Sequence, residues 1–188
     1  MKPRENLMVD LETMGMGSCA AIVAIGAVFF DPTTGETGAA FYQAVDLSSS
    51  MSAGGTVNGE IIKWWLCQSN EARATIAKKS LPLIDNVLRE LHFWARENAQ
   101  ERMDGLKVWG KSANFVLRGA YERSNLTPFW HVGNDRDVHT IIDIGMNRGF
   151  NLQNELSMVK TQDNALNCAL YQVNHVANIW QKIIQYEG

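Results

Sequence analysis

The sequence predicts one domain of the α/β or α+β class. Two observations carry that prediction. Three strand-like runs come first, followed by helical patterns, a short apolar run closed by glycine, and further helical patterns to the end. The composition is that of an ordinary globular chain, 188 residues with 46% hydrophobic and 20% charged side chains, long enough to bury a core without disulfide or metal staples. No repeat, low-complexity tract or linker divides it, so 1–188 reads as a single domain.

Residues 7–11 and 20–30 read as strands, the second rich in Ile, Val and Phe. "DPTTGETG" (31–38) is a turn by its Asp-Pro and Gly content, and 39–46 reads as a third strand, which makes an antiparallel meander. "LSSSMSAGG" (47–55) reads as a flexible loop. A helix follows in "TVNGEIIKWWLCQS", where Ile61, Trp64, Trp65 and Gln68 have helical spacing. Residues 71–78 and 81–100 are two more helices, the latter through Leu83, Val87, Leu88, Leu91 and Trp94. "LKVWG" (106–110) reads as a fourth, buried strand. "ANFVLRGAYERSN" and residues 137–149 are helices, the second stopped by Gly149. From 164 to 185, Ala165, Leu166, Ala169, Leu170, Val173, Val176, Ala177, Trp180, Ile183 and Ile184 form an amphipathic stripe.

A net charge of −3 leaves no broad basic footprint, which argues against a tight non-specific DNA binder. Cys19, Cys67 and Cys168 are odd in number and widely spaced, the pattern of reduced cytosolic thiols. The longest apolar run, 20–30, is too short to span a bilayer, and the acids at 10 and 12 interrupt any leader-like stretch. A cytoplasmic protein with no membrane partner is the expectation.

Asp10 and Glu12 lie two apart in the first strand and therefore point to the same face. Adjacent carboxylates repel unless a cation or a strong hydrogen-bond network sits between them. A D-x-E pair alone also fits a solvated strand end. Its apolar surroundings and the small residues of the following "TMGMGS", which let a ligand approach, favour a site. On these residues alone both readings stand.

"MVDLETMG", "TVNGEIIKWWLCQSNEAR", "VWGKSANF", "LRGAYERSNLTPFW", "NDRDVHTIIDIG" and "DNALNCALYQV" occur in an order that resembles the DEDD-type 3′–5′ exonucleases. The resemblance is to the exoribonuclease-like domain family that includes phage and prophage proteins of the exodeoxyribonuclease VIII type, and it covers about residues 7–185. It implies an RNase H-like α/β fold, a mixed central sheet flanked by helices. It also implies two Mg²⁺ or Mn²⁺ ions held by four carboxylates, with a His as general base. Asp10 and Glu12 match the first metal-binding pair.

The remaining positions depart from the family pattern. The second motif, "G-N-[SG]-A-x-F-D-x-x-x-L", is here "GKSANF" running into "VLRGAYER". Either about three residues including the Asp are missing, or Ala113 takes its place. In the third, "H-N-A-L-D-D-A", Asp163 stands at the His position and Cys168 at the metal-binding Asp position. A thiol is a poor Mg²⁺ ligand, so the resemblance implies weakly held Mg²⁺ or Mn²⁺ and hydrolysis that is abolished or severely impaired. The chain would then act by binding nucleic acid or protein. The alternative is an active exonuclease with a rebuilt site that uses Asp10, Glu12 and Asp163. Asp135 and Asp137 are lesser substitutes, expected to serve the fold or the substrate side.

Thr13, Met14, Trp64, Asn114 and Arg136 are the expected nucleic-acid contacts, Trp64 by stacking on bases. Of Trp64 and Trp65, adjacent on a helix, one should be core and the other near the surface. Lys111 and Arg118 are phosphate contacts or ordinary surface charge. His92, His131, His139 and His175 lack metal-ligand spacing, and His175, two turns beyond Cys168, cannot replace the base. The expected partners are single-stranded DNA or RNA, a host protein, and a second copy in a homodimer.

Overall fold

The computed structural model describes residues 5–99, 103–150 and 164–185. A five-stranded mixed sheet is the organising element, with strand order β3-β2-β1-β4-β5. β1 (Asn6–Thr13), β2 (Ile22–Phe30) and β3 (Thr37–Ala44) form the antiparallel meander, and β4 (Lys107–Gly110) and β5 (Asp135–Asp137) add in parallel beyond β1. α1 (Leu47–Ser52), α2 (Gly59–Leu66), α3 (Asn70–Ile76) and α4 (Ile84–Asn98) lie between β3 and β4. α5 (Ala113–Arg123) connects β4 to β5, followed by α6 (Val138–Asn147) and α7 (Ala165–Gln185).

Strand alternation divides the core in two. Leu7, Val9, Ile25, Ala27 and Phe29 face α4 and α5, packing on Val87, Leu88, Leu91, Leu117 and Tyr121. Met8, Val28, Phe30 and Trp109 face α6 and α7, against Ile141, Val173, Val176 and Ile179. β2 is buried along its whole length because helices cover both faces, which explains its unbroken apolar sequence. Each fully buried Leu, Val or Phe contributes about 1.5–3 kcal/mol to this core.

The structure differs from the sequence expectations in several places. Residues 47–52 of the expected loop are α1, with no apolar periodicity to announce it. Asp46 caps the helix by accepting from Ser49 N–H at 2.7 Å, and buried Ser50 Oγ accepts from Ile22 N–H at 2.9 Å. "NDRD" contains β5, whose pairing of Val108 with Asp135 and Gly110 with Asp137 needs no hydrophobic run at a sheet edge. The second strand starts at Ile22, and Ala20 makes only an isolated bridge with Thr56. In α7 the buried face includes Gln172, His175 and Ile179, while Ile184 is exposed. No described helix is long and apolar enough to cross a membrane.

Candidate functional site

Asp10 pairs with Gly26 and Glu12 with Ala24, so both acids share the α6–α7 face of the sheet with Met8. Gly26 decides what comes next to them. A Cβ there would lie 2.2 Å from Leu166 N and 2.3 Å from the Ala165 carbonyl carbon, so only glycine lets the first turn of α7 rest backbone-on-backbone against β2. Asn164 caps that turn, its Oδ1 accepting from Asn167 N–H at 3.0 Å.

The seating brings three donors of α7 onto the acid pair. Ala165 N–H donates to Glu12, and the Cys168 thiol donates to Asp10. Gln172 Nε2 donates to Asp10 Oδ1 at 2.7 Å. Positions 165, 168 and 172 fall on one stripe of a helix. The side-chain Oε1 of Gln172 accepts from Lys111 N–H at 3.2 Å, which ties the end of β4 into the same network.

Burial pushes the Asp10 carboxyl up to about 6, against the opposing pull of Gln172, Cys168, the Lys111 charge and the Leu11 backbone. Burial and then the charge of Asp10 push Glu12 up to about 7, against its bond from Ala165. Burial, both carboxylates and the bond to Asp10 push the Cys168 thiol up to about 12, so it stays a protonated donor. Tyr42, paired with Gly26 from the other side, is pushed up to about 12 by burial and by Glu12. Its hydroxyl is buried without a hydrogen-bond partner among the described residues.

The segment after the acids is braced rather than open. Trp65 Nε1 donates to the Thr13 carbonyl at 2.9 Å, and Thr13 Oγ1 donates to the Gly15 carbonyl at 3.1 Å. Met14 is buried with Ala21, Val23 and Trp65. Trp65 is 5% exposed and Trp64 54%, their rings edge-on with centroids 5.3 Å apart. Trp64 thus keeps an open face.

At the second motif, Ser112 turns the chain into α5 with a left-handed φ of 63°. Ala113 and Leu117 lie one turn apart on the buried face. Asn114 is buried too, its Oδ1 accepting from Phe115 N–H at 3.1 Å. The first turn of α5 has no acidic side chain.

The other named residues make contacts within the fold. Asp135 accepts from Arg118 at 3.1 Å and from the Trp130 indole, and the Arg118 guanidinium lies 4.7 Å from that ring's centroid. Asp137 caps α6 through Thr140 N–H at 3.0 Å, and Arg136 donates to the carbonyls of Gly133 and Asp135. His175 is buried beside Tyr171, their rings 4.2 Å apart. Asp163 lies outside the described residues.

Among the described residues, Asp10 and Glu12 by themselves do not make up the ligand set of a two-ion centre. Among the described residues no group of three or more His, Cys, Asp or Glu side chains is arranged to hold a metal. The oxygens of the pair receive N–H and S–H donors from the facing helix. Gln172 and Gly26 escape the sequence reading, although each leaves a trace: a polar residue inside an apolar stripe, and a glycine inside an apolar strand.

The model of the Rv2179c-like 3′–5′ exoribonuclease domain family matches residues 5–180. No curated protein sequence matches the chain. Among solved structures, the chain is similar to the nuclease domain of 3′hExo, a DEDDh family member bound to rAMP. That match has 12% identity, a TM-score of 0.58, and covers 97% of this chain and 93% of that one. It is also similar to cell-death related nuclease 4 (14%, 0.63, covering 98% and 65%). A third match is S. pombe Pop2p in its Mg²⁺- and Mn²⁺-bound form (14%, 0.61, covering 96% and 84%). At these identities the structural likeness is one of fold.

Proposed function

The chain belongs to the Rv2179c-like 3′–5′ exoribonuclease domain family, within the DEDD-type exonuclease superfamily, and from that premise we propose that it is a degenerate member. In this reading two-metal hydrolysis is abolished or severely impaired, and the protein acts by binding nucleic acid or a protein partner. One observation carries it: at the family's metal-binding Asp position stands Cys168, a protonated thiol that donates to Asp10. Losing coupled catalytic groups costs orders of magnitude in rate. The absence of any carboxylate in the first turn of α5 supports the same reading, as does the use of Asp135 and Asp137 in structural bonds.

Asp10 and Glu12 are the residues that would meet Mg²⁺ or Mn²⁺, and the like charges without further oxygen ligands favour weak binding. Single-stranded DNA or RNA is the first candidate ligand, with the exposed face of Trp64 and Thr13 as contacts. A homodimer, a host protein partner, a phage or prophage origin and a cytoplasmic location belong to the same proposal. Sedimentation tests the first of these and a pull-down with nuclease-treated extract tests the second.

The decisive experiment incubates 5′-labelled single-stranded DNA and RNA with Mg²⁺ or Mn²⁺, with Asp10→Ala as control. The expected result is no ladder from either protein. A ladder that disappears in Asp10→Ala overturns the proposal, and its loss in Asp163→Ala would then establish the rebuilt site.

A further inference from the structure

We propose that the cavity between α4 and the loop after α5 is a second site, one that binds a phosphate ester carrying an aromatic base through Arg89 and Arg96, with Phe93 as the stacking platform. The ligand is a nucleotide, free or at the end of a single strand. For that identity the proposal rests on the binding reading above. The cavity, of about 410 Å³, falls within the usual range of small-molecule sites, roughly 300–1,000 Å³. Arg89, Phe93 and Arg96 stand at i, i+4 and i+7 on α4 and so form one stripe beside the cavity.

The charge there is one-sided. Among the described residues no acidic side chain lines the cavity, and neither guanidinium has an ion-pair or hydrogen-bond partner. In a chain of net charge −3, two unpaired arginines converging on one hollow mark a place suited to an anion. Phe93 is 65% exposed at the rim, a face free to take a base. His92 packs at a tilt on Phe129 with ring centroids 5.6 Å apart, and burial with the neighbouring Arg96 charge holds its imidazole below the ordinary range.

The frame behind these groups is rigid. Ile84, Val87, Leu88, Leu91 and Ala95 anchor the opposite stripe of α4 in the core. Tyr121, which forms part of the lining, donates its hydroxyl to the Leu88 carbonyl at 2.7 Å. α4 covers the sheet face opposite to Asp10 and Glu12, so the cavity is separate from the acid pair.

The test is fluorescence anisotropy in EDTA, which keeps any hydrolysis silent. The probes are fluorescent AMP and 3′-labelled single-stranded oligonucleotides with and without a 5′-phosphate. Arg89→Gln/Arg96→Gln is compared with Lys78→Gln/Lys79→Gln, which removes the same charge from an exposed segment elsewhere. The expected result is about a ten-fold or larger loss of affinity and a strand salt slope lower by about 1.4 in the Arg variant, with the Lys variant within about two-fold of the parent. Phe93→Ser should weaken base-bearing probes and leave inorganic phosphate competition unchanged.

An Arg-dependent AMP signal identifies a nucleotide site, and a signal only from phosphorylated strands identifies a strand-end site. Equal losses in both double variants overturn the proposal, and so does an unchanged Arg variant whose parent binds strands, which leaves the binding reading standing. No binding by the parent overturns the cavity site and the nucleic-acid half of the binding reading, and leaves only a protein partner. Mg²⁺-dependent cleavage together with Arg-dependent anisotropy overturns the degenerate reading and leaves the cavity site standing.

Discussion

Replacing Asp10 by Asn and Glu12 by Gln together removes two carboxylates that the fold makes hard to ionise. Burial pushes Asp10 from 3.8 to about 6, and burial with the Asp10 charge pushes Glu12 from 4.5 to about 7. The folded state therefore holds these protons more tightly than the unfolded chain. The associated stability is fully present below about pH 4 and is lost as pH rises through 6 and 7. At about 1.4 kcal/mol for each pH interval separating the folded and unfolded values, each group alone represents roughly 3 kcal/mol. Part of the Glu12 shift is repulsion by Asp10, so the pair together amounts to about 3–5 kcal/mol rather than the sum. That is a large share of a typical 5–15 kcal/mol domain stability, in round terms. Urea unfolding in EDTA at several values between pH 4.5 and 8 measures it. The double variant should gain stability over the parent by about 3–5 kcal/mol across that interval, the difference growing steadily with pH. A difference that stays flat or shrinks as pH rises would mean the acids are well solvated or already compensated, and the reasoning about their burial would be wrong.

Gly26→Ala forces a Cβ to 2.2 Å from Leu166 N, a contact with backbone that only displacement of α7 relieves. The expected loss is about 2–4 kcal/mol by urea unfolding, larger than a surface Gly→Ala change ever produces. Cys168 should resist alkylation at pH 8 in the folded protein, its thiol being half-buried and pushed up to about 12, while the exposed Cys19 and Cys67 label. Peptide mapping after iodoacetamide treatment checks this, and labelling of Cys168 at their rate would contradict its role as a donor to Asp10. Asp137→Ala removes the α6 cap on Thr140 and should cost about 1 kcal/mol of stability, read as a shifted urea midpoint with an unchanged slope.

What the sequence determined by itself was whatever depends on local period and on spacing along the chain. The meander is legible because β1, β2 and β3 alternate or run apolar between a clear turn, and α4 and α7 are legible because their apolar stripes repeat at helical intervals. The family follows from motif order, and the placement of Asp10 and Glu12 on one face follows from strand geometry alone. α1 and β5 were not legible, because a side-chain cap and a parallel neighbour hold them rather than any hydrophobic pattern.

Only the tertiary structure decided what the acid pair meets. Gly26, sixteen residues beyond Asp10, admits the end of a helix that is more than 130 residues further along the chain. That contact turns Ala165, Cys168 and Gln172 into donors on Asp10 and Glu12. It likewise took the fold to bury Met14 and Asn114, to pair Asp135 with Arg118, and to leave Arg89 and Arg96 around one hollow. The reason is physical: burial, desolvation and donor direction depend on atoms brought together by packing, and a one-dimensional pattern records which residues are available, not which of them meet.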